Sequence, residues 1–91
     1  MKGGYGEYQN QKHMYKGNWS NDKFHGLGQL AFMEEKEMYL GEFKNGKLEG
    51  KGVYFFSNGS IYQGEYKDGK RHGNGMFRGT NGHVFDGVWE N

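Results

Sequence analysis

The stretch YQGEYKDGKRHGNGMF, residues 62–77, has the pattern of two β-strands joined by a tight turn. In the first strand Tyr62, Gly64 and Tyr66 alternate with polar residues, so that one face is apolar and the other is polar. Asp68-Gly69 follows, and Asp-Gly between two strands favours a type I′ turn, because both central residues of that turn need a positive φ. These residues therefore predict a β-hairpin.

The same hairpin recurs along the chain. Its first-strand motif, aromatic-x-Gly-x-aromatic, begins at residues 15, 39, 62 and 85. Its second-strand motif, Gly-x-Gly-x-apolar, begins at Gly26, Gly50 and Gly73, with a partial copy at Gly4. This regular spacing indicates a repeat array, and we predict an all-β fold, a single-sheet solenoid of consecutive antiparallel β-hairpins with roughly eight strands. The predicted units are a half repeat at residues 1–14, full repeats at 15–38, 39–61 and 62–84, and a half repeat at 85–91.

The paired glycines of the second strands allow two interpretations. Gly26-Leu27-Gly28 and its equivalents resemble phosphate-binding loops, but none continues to a Gly-Lys-Ser/Thr ending or leads into a helical pattern. In a strand, a glycine instead leaves room for a large ring to lie over the bare backbone. We therefore expect these glycines to be architectural.

Composition excludes several classes of function. The net charge of +1 gives no basic excess for nucleic-acid binding, and the absence of cysteine rules out disulfides and thiolate zinc sites. No apolar run is long enough to span a membrane. Seven Tyr, seven Phe and two Trp argue against disorder. A soluble cytosolic protein, or a piece of one, is expected.

The chain resembles a known family through the pattern Y-x-G-E-[WFY]-x-[ND]-G-K-x-x-G-x-G-x-[YF], which is that of the MORN repeat. Residues 62–77 match the pattern almost letter for letter and residues 39–54 nearly as well. Residues 15–30 depart from it, because Asn21-Asp22 replaces the Asn-Gly turn and Leu30 replaces an aromatic residue. The resemblance implies a non-enzymatic scaffold or adaptor, cytoplasmic and associated with the cytoskeleton, a cilium or the cytosolic face of a membrane.

No catalytic or metal-binding constellation is visible. His25 and His72 occupy equivalent positions, but two repeats separate them by roughly 19 Å, too far to share an ion. The repeated glutamates are expected to pair across strands with lysines rather than to form a catalytic pair. Neither a cofactor nor a metal is expected. These acids are Glu7, Glu42 and Glu65, and their expected partners are Lys44, Lys51 and Lys67.

The aromatic stripe is the first candidate surface for a partner. In a sheet this small the stripe cannot be covered completely, and partly exposed aromatic side chains are favoured interface anchors. The groove along the stripe is predicted to bind an extended or helical segment of another protein; the alternative is that the rings simply pack on one another. The groove residues are Tyr39, Phe43, Tyr54, Tyr62, Tyr66, Phe77, Phe85 and Trp89.

Basic residues at the hairpin turns are the second candidate surface. Lys23, Lys47, Lys70 and Arg71 occupy equivalent turns, so they should lie along one edge of the sheet. Such a row can bind anionic lipid headgroups, at about 1 kcal/mol per residue. The alternative is a set of solvated turn residues offset by neighbouring acids.

The sheet ends are the third candidate. Residues 4–8 and 84–90 are expected to leave an unpaired edge that invites strand addition and hence homodimerisation. Because Trp89-Glu90-Asn91 ends where another turn would begin, the chain is expected to be a fragment.

Overall fold

The computed structural model describes residues 3–89, and its side chains up to Val88, as one antiparallel sheet. Neighbouring strands in the sheet are neighbours in sequence, so every connection is a hairpin or a short link. The predicted all-β, single-sheet array of consecutive hairpins is confirmed. The strands are β1 (Gly3–Gln9), β2 (His13–Ser20), β3 (Lys23–Phe32), β4 (Glu37–Lys44), β5 (Lys47–Phe55), β6 (Ile61–Lys67), β7 (Lys70–Arg78) and β8 (Val84–Trp89).

The hairpin turns have the predicted conformation. Both central residues have positive φ in Asn45-Gly46 (51° and 84°) and in Asp68-Gly69 (51° and 82°). Asn21 and Asp22, which replace the usual Asn-Gly, also have positive φ, at 50° and 62°. Asn and Asp enter the left-handed region more readily than other residues with a side chain, so the first hairpin keeps its turn without a glycine.

The links between hairpins use single residues with positive φ. Gly59 (φ 94°) donates its N–H to the Phe56 carbonyl oxygen at 3.0 Å. In the link between β3 and β4 the corresponding residue is Lys36 (φ 59°), whose N–H donates to the Phe32 carbonyl oxygen at 2.8 Å. Residues 33–38 depart from the repeat pattern, and lysine therefore takes the positive-φ position that glycine occupies in the other link. The chain still reverses direction there.

Each hairpin contains a bulge in its second strand. Between the pairs Gly64↔Gly75 and Tyr66↔Arg71, three residues of β7 face one residue of β6, and the other two hairpins shift at the same place. Gly73 lies in this bulge with φ 67°. It therefore does not continue the simple alternation that the sequence pattern predicts for Gly73, Gly75 and Phe77.

The second glycine of each pair lies under a tyrosine ring. A Cβ on Gly28, Gly52 or Gly75 would overlap the ring of the tyrosine in the preceding strand. These tyrosines are Tyr15, Tyr39 and Tyr62, and each is 0 % exposed. Their hydroxyls donate to the carbonyl oxygens of Asn18 (2.7 Å), Glu42 (2.9 Å) and Glu65 (3.1 Å), respectively. The predicted architectural role of the glycines is confirmed.

Candidate functional site

The sheet has two unequal faces. The aromatic face carries the rings of Tyr15, Tyr39 and Tyr62. The opposite face carries the side chains of Leu40, which follows Tyr39 and pairs with Val53, and of Met76, which pairs with Gln63. Each face offers a different kind of surface.

Four of the eight predicted groove residues are core residues, which corrects the predicted groove. Tyr39 and Tyr62 are 0 % exposed, Phe43 is 3 % and Tyr66 is 6 % exposed. Their rings meet edge to face, with centroids 5.1 Å apart for Tyr39 and Phe43 and 5.2 Å apart for Tyr39 and Tyr66. Because the tyrosines tilt over the glycines, rings of neighbouring strands cover one another and offer no surface to a partner.

The remaining groove residues form a partly exposed rim. Tyr54 and Phe77 are half-buried and Phe85 is 65 % exposed, while the side chain of Trp89 lies outside the described residues. Phe56 joins this rim, with ring centroids 4.7 Å from Tyr54 and 5.7 Å from Phe77. Among the described residues the rim is therefore a packed row of partly exposed rings, and Phe85 is the most open to solvent.

Glu37 holds one end of this rim. Its carboxylate accepts hydrogen bonds from the Tyr54 hydroxyl at 2.8 Å and the Ser57 N–H at 3.1 Å. The pKa of Glu37 is lowered mainly by the hydrogen bond from Tyr54 and, to a smaller extent, by that from Ser57. Burial, together with this carboxylate, raises the pKa of Tyr54. Burial also raises the pKa of Tyr39 and Tyr66.

The opposite face carries apolar side chains that sequence reasoning missed. Leu40 pairs with Val53, and the next strands continue this row with Gln63 and Met76. Leu40 is 38 % and Met76 is 40 % exposed. A second row on the same face lies two residues nearer the links between hairpins. It contains Met38, Phe55 and Ile61, all half-buried.

A signal for this surface was present in the sequence. Residues 38–40 and 53–56 are uninterrupted apolar runs, whereas the equivalent part of β6, residues 61–63, ends in the polar Gln63. An uninterrupted run indicates a strand that is apolar on both faces. The sequence interpretation took its alternation from residues 62–67 and therefore treated the whole second face as polar.

A groove of about 500 Å³ crosses the opposite face from β4 to β8. Leu40, Val53 and Met76 contribute its apolar side chains, and Glu65 and Asp86 contribute carboxylates. The glycine row opposes glycine to glycine across the strands, and its backbone lines the groove. The further lining residues are Gly41, Lys51, Gly52, Gln63, Gly64, Asn74 and Gly75.

The repeated glutamate lies beside the bulge of the second strand. Glu42 accepts a hydrogen bond from the backbone N–H of Lys51 at 2.9 Å, and its carboxylate lies beside the bulge glycine Gly50. Glu65 lies in the same way beside Gly73. A carboxylate at this position therefore satisfies or borders the irregular backbone. In the strand register Glu65 also lies directly opposite Lys51, one of the expected lysine partners, and Glu7 lies opposite Lys16.

The basic turn residues divide between the two faces. Lys44 lies directly opposite Lys47, and Lys67 lies directly opposite Lys70, all four exposed on the same side as Leu40. Lys23 occupies the equivalent place in the first hairpin. Arg71 instead pairs with Tyr66 on the aromatic face, and its guanidinium carbon lies 5.6 Å from the centroid of the Tyr62 ring. Lys44 and Lys67 therefore lie beside the predicted lysines on this face, whereas Arg71, at the same edge of the sheet, lies on the aromatic face; lipid binding by these residues stays a prediction.

The histidines do not assemble a metal site in the described part of the chain. Among residues 3–89 no group of three or more His, Cys, Asp or Glu side chains is placed to hold a metal ion. His25 instead lies half-buried beside the first hairpin, with its Nδ1 buried and without a hydrogen-bond partner. No helix within residues 3–89 has the length and apolarity to cross a membrane.

Comparison with protein-family models gives three matches in this chain. The model described as MORN repeat matches residues 15–32, 39–61 and 62–84, which together make up more than half of the chain. A search of curated proteins finds no match. The three matched segments begin at the first-strand motifs of β2, β4 and β6.

Proposed function

The chain belongs to the MORN-repeat family, whose repeats are generally protein- or membrane-binding modules, and we propose that it is a non-enzymatic scaffold or adaptor that binds a segment of a partner protein. The observation that carries this proposal is the groove of about 500 Å³ on the opposite face, with Leu40, Val53 and Met76 exposed or half-exposed in its lining. Apolar side chains left accessible in a concave surface favour occupation by another apolar surface. On the aromatic face, by contrast, the rings of Tyr39, Phe43, Tyr62 and Tyr66 are buried by their neighbours.

The direction of the groove favours a helix as its occupant. The groove crosses the strands, whose backbone N–H and C=O groups are already paired with neighbouring strands. An added strand needs a free sheet edge, whereas a helix satisfies its own backbone and presents a row of side chains. Four strand spacings of about 4.8 Å give roughly 19 Å, the length of a helix of about 13 residues.

The charges of the groove favour a basic partner. Glu65 and Asp86 line it, and Lys51 is the single basic side chain in the lining. A helix that places leucine or methionine towards Leu40 and Met76 and a lysine or arginine towards Glu65 matches both the apolar and the acidic parts. We propose a cytoskeletal, ciliary or membrane-junction assembly as the setting of this activity, in keeping with the resemblance to this family.

Fluorescence anisotropy with a labelled model helix tests the proposal. The probe is an amphipathic peptide of about 14 residues with leucine on one face and lysine on its flanks. The variant Leu40→Lys/Met76→Lys is expected to weaken binding at least about tenfold, since each change places a charge in the apolar contact. Leu27→Lys is the matched control, because Leu27 is 66 % exposed on the same face but outside the groove lining.

The same experiment can reject the proposal. A peptide with glutamate in place of lysine must bind more weakly than the lysine peptide if the acidic lining contributes. Equal binding by the wild type and the Leu40→Lys/Met76→Lys variant, with both folded by circular dichroism, would exclude the groove as the binding surface.

Membrane binding is the second candidate, and the lysines of the hairpin ends favour it. Like charges directly opposite each other destabilise an isolated sheet, yet Lys44↔Lys47 and Lys67↔Lys70 repeat this arrangement in consecutive hairpins. A surface of anionic lipid headgroups would neutralise both pairs at about 1 kcal/mol per lysine.

Co-sedimentation with liposomes distinguishes this candidate. Binding to vesicles that contain phosphoinositide should disappear in Lys47→Glu/Lys70→Glu and weaken with ionic strength. Lys51→Glu is the control, because Lys51 lies in the groove rather than at a hairpin end. If Lys51→Glu weakens binding as much as the double variant does, the hairpin lysines have no specific role.

A further inference from the structure

Two methionines within residues 3–89 are open to solvent to the same degree but have different surroundings. Met76, on β7, is 40 % exposed, and Met33, in the link between β3 and β4, is 41 % exposed. Met14 and Met38 are half-buried. Met76 lines the groove of the opposite face, whereas Met33 lies outside its lining. The two exposed side chains are therefore about equally accessible to a dissolved reagent, but only Met76 belongs to the groove.

Met76 supplies the apolar contact in one half of the groove. Leu40 and Val53 lie on β4 and β5, in the other half. On β6, β7 and β8, Met76 is the single apolar side chain among the described residues that line the groove. It lies opposite Gln63 on one side and Asp86 on the other. A change in the polarity of this one side chain therefore makes the whole of that half polar.

We propose that Met76 is an oxidation site that regulates binding in the groove, an inference that rests on the proposed binding of a partner helix there. The oxidant is hydrogen peroxide. Its O–O bond breaks, an S–O bond forms at the Met76 sulfur, and one molecule of water is released. The thioether loses two electrons and becomes a sulfoxide, while the peroxide is reduced. A flexible apolar side chain is thereby converted into a polar one, and methionine sulfoxide reductases reverse the change.

The sulfoxide oxygen weakens the contact with an apolar helix. This oxygen accepts hydrogen bonds, but a leucine side chain of the partner has no donor, and burying an unpaired polar atom costs free energy. Asp86, directly opposite Met76, is also an acceptor when it is ionised. In the free groove, water and the amide group of Gln63 supply donors, because Gln63 is exposed and pairs with Met76. Oxidation therefore favours the unoccupied groove over the occupied one.

Anisotropy with the leucine–lysine helix described above tests this inference, since that probe contains no methionine. The 91-residue chain is treated with hydrogen peroxide, and its sulfoxides are located by peptide mass mapping. Oxidation of the wild type is expected to raise the Kd about tenfold, and a methionine sulfoxide reductase should restore it. Met76→Leu keeps an apolar side chain of similar volume, so it should bind like the wild type and be unaffected by peroxide. Met33→Leu is the matched control and should lose affinity on oxidation as the wild type does.

Protection by the bound helix gives a second readout. With the probe at saturation, peroxide should oxidise Met76 more slowly and Met33 at an unchanged rate. Failure of the unoxidised chain to bind the probe would overturn this inference together with the proposed function. If the unoxidised chain binds, unchanged affinity after conversion of Met76 to the sulfoxide, or an equal loss of affinity in Met76→Leu, overturns the oxidation site alone. Equal oxidation of Met76 with and without the probe does the same.

Discussion

Tyr39 and Leu40 are consecutive residues of β4, yet the first is completely buried and the second is 38 % exposed. Their difference is that of the two faces. On the aromatic face each inner tyrosine lies over a glycine of the next strand and donates its hydroxyl to the backbone three residues later. On the opposite face Leu40, Val53 and Met76 have no such ring to cover them.

The comparison shows how a sheet of one layer builds a core. A ring needs space beside the backbone, which a glycine supplies, and a partner for its hydroxyl, which the local carbonyl group supplies. Where both are present the face is covered without a second layer. Where the side chains are branched or flexible aliphatics, they cover one another only in part, and the remaining apolar area is available to a partner.

Replacing Tyr39 or Leu40 by alanine should give the largest difference in stability between the two faces. Tyr39→Ala removes a fully buried ring and its hydrogen bond, and is expected to reduce the free energy of unfolding by about 4 kcal/mol. Leu40→Ala should reduce it by about 1 kcal/mol, because much of that side chain is already solvated. Urea unfolding monitored by circular dichroism measures both. Similar losses for the two variants would show that the faces are equally important for stability.

Adding a methyl group to a glycine gives the next largest effect. Gly64→Ala would place a Cβ 2.5 Å from the Gly75 Cα and is expected to destabilise the chain by about 2–3 kcal/mol. Gly87 is the equivalent residue of β8 and has nothing within 4 Å, so Gly87→Ala should stabilise the chain slightly, by about 0.5 kcal/mol. Midpoints of thermal unfolding compare the two. Lower stability in both variants would mean that close packing alone does not explain the need for glycine in this row.

Alkaline pH should act on the aromatic face. Burial raises the pKa of Tyr15, Tyr39 and Tyr62 above the ordinary value of 10.0. The unfolded chain releases these protons above that pH while the folded chain retains them, so stability is complete below about pH 10 and is lost as pH rises towards the folded-state values. The free energy of unfolding, measured between about pH 8 and 11.5, should show this decline. In Tyr39→Phe the slope against pH should be smaller by the equivalent of about one proton. An unchanged slope in Tyr39→Phe would contradict the assignment to Tyr39.

The smallest effect should come from a backbone site in a link, outside both faces. Lys36 has φ 59°, a conformation that costs a residue with a side chain about 1 kcal/mol. Lys36→Gly relieves this strain but loses more entropy on folding, so a net gain of about 0.5 kcal/mol is expected from urea unfolding. Binding of the model helix should not change. Weaker binding would indicate that the link between β3 and β4 contributes to the groove.

The sequence by itself determined the architecture, because strand, turn and glycine preferences act over a few residues and recur in phase. The period of 23 or 24 residues, the Asn-Gly and Asp-Gly turns, and the alternation of rings with glycines predict the hairpin array that is observed. Even Asn21-Asp22, which departs from the pattern, keeps its turn through local preference alone.

Only the tertiary structure decided which surface is covered. Burial depends on rings from neighbouring strands, which approach across the sheet rather than along the chain. That approach makes Tyr39, Phe43, Tyr62 and Tyr66 core residues and leaves Leu40 and Met76 accessible. The same pairing across the hairpin places Arg71 opposite Tyr66 on the aromatic face and Lys70 opposite Lys67 on the other. A partner can bind only where neighbouring strands leave apolar area uncovered, and that depends on contacts that one strand alone does not contain.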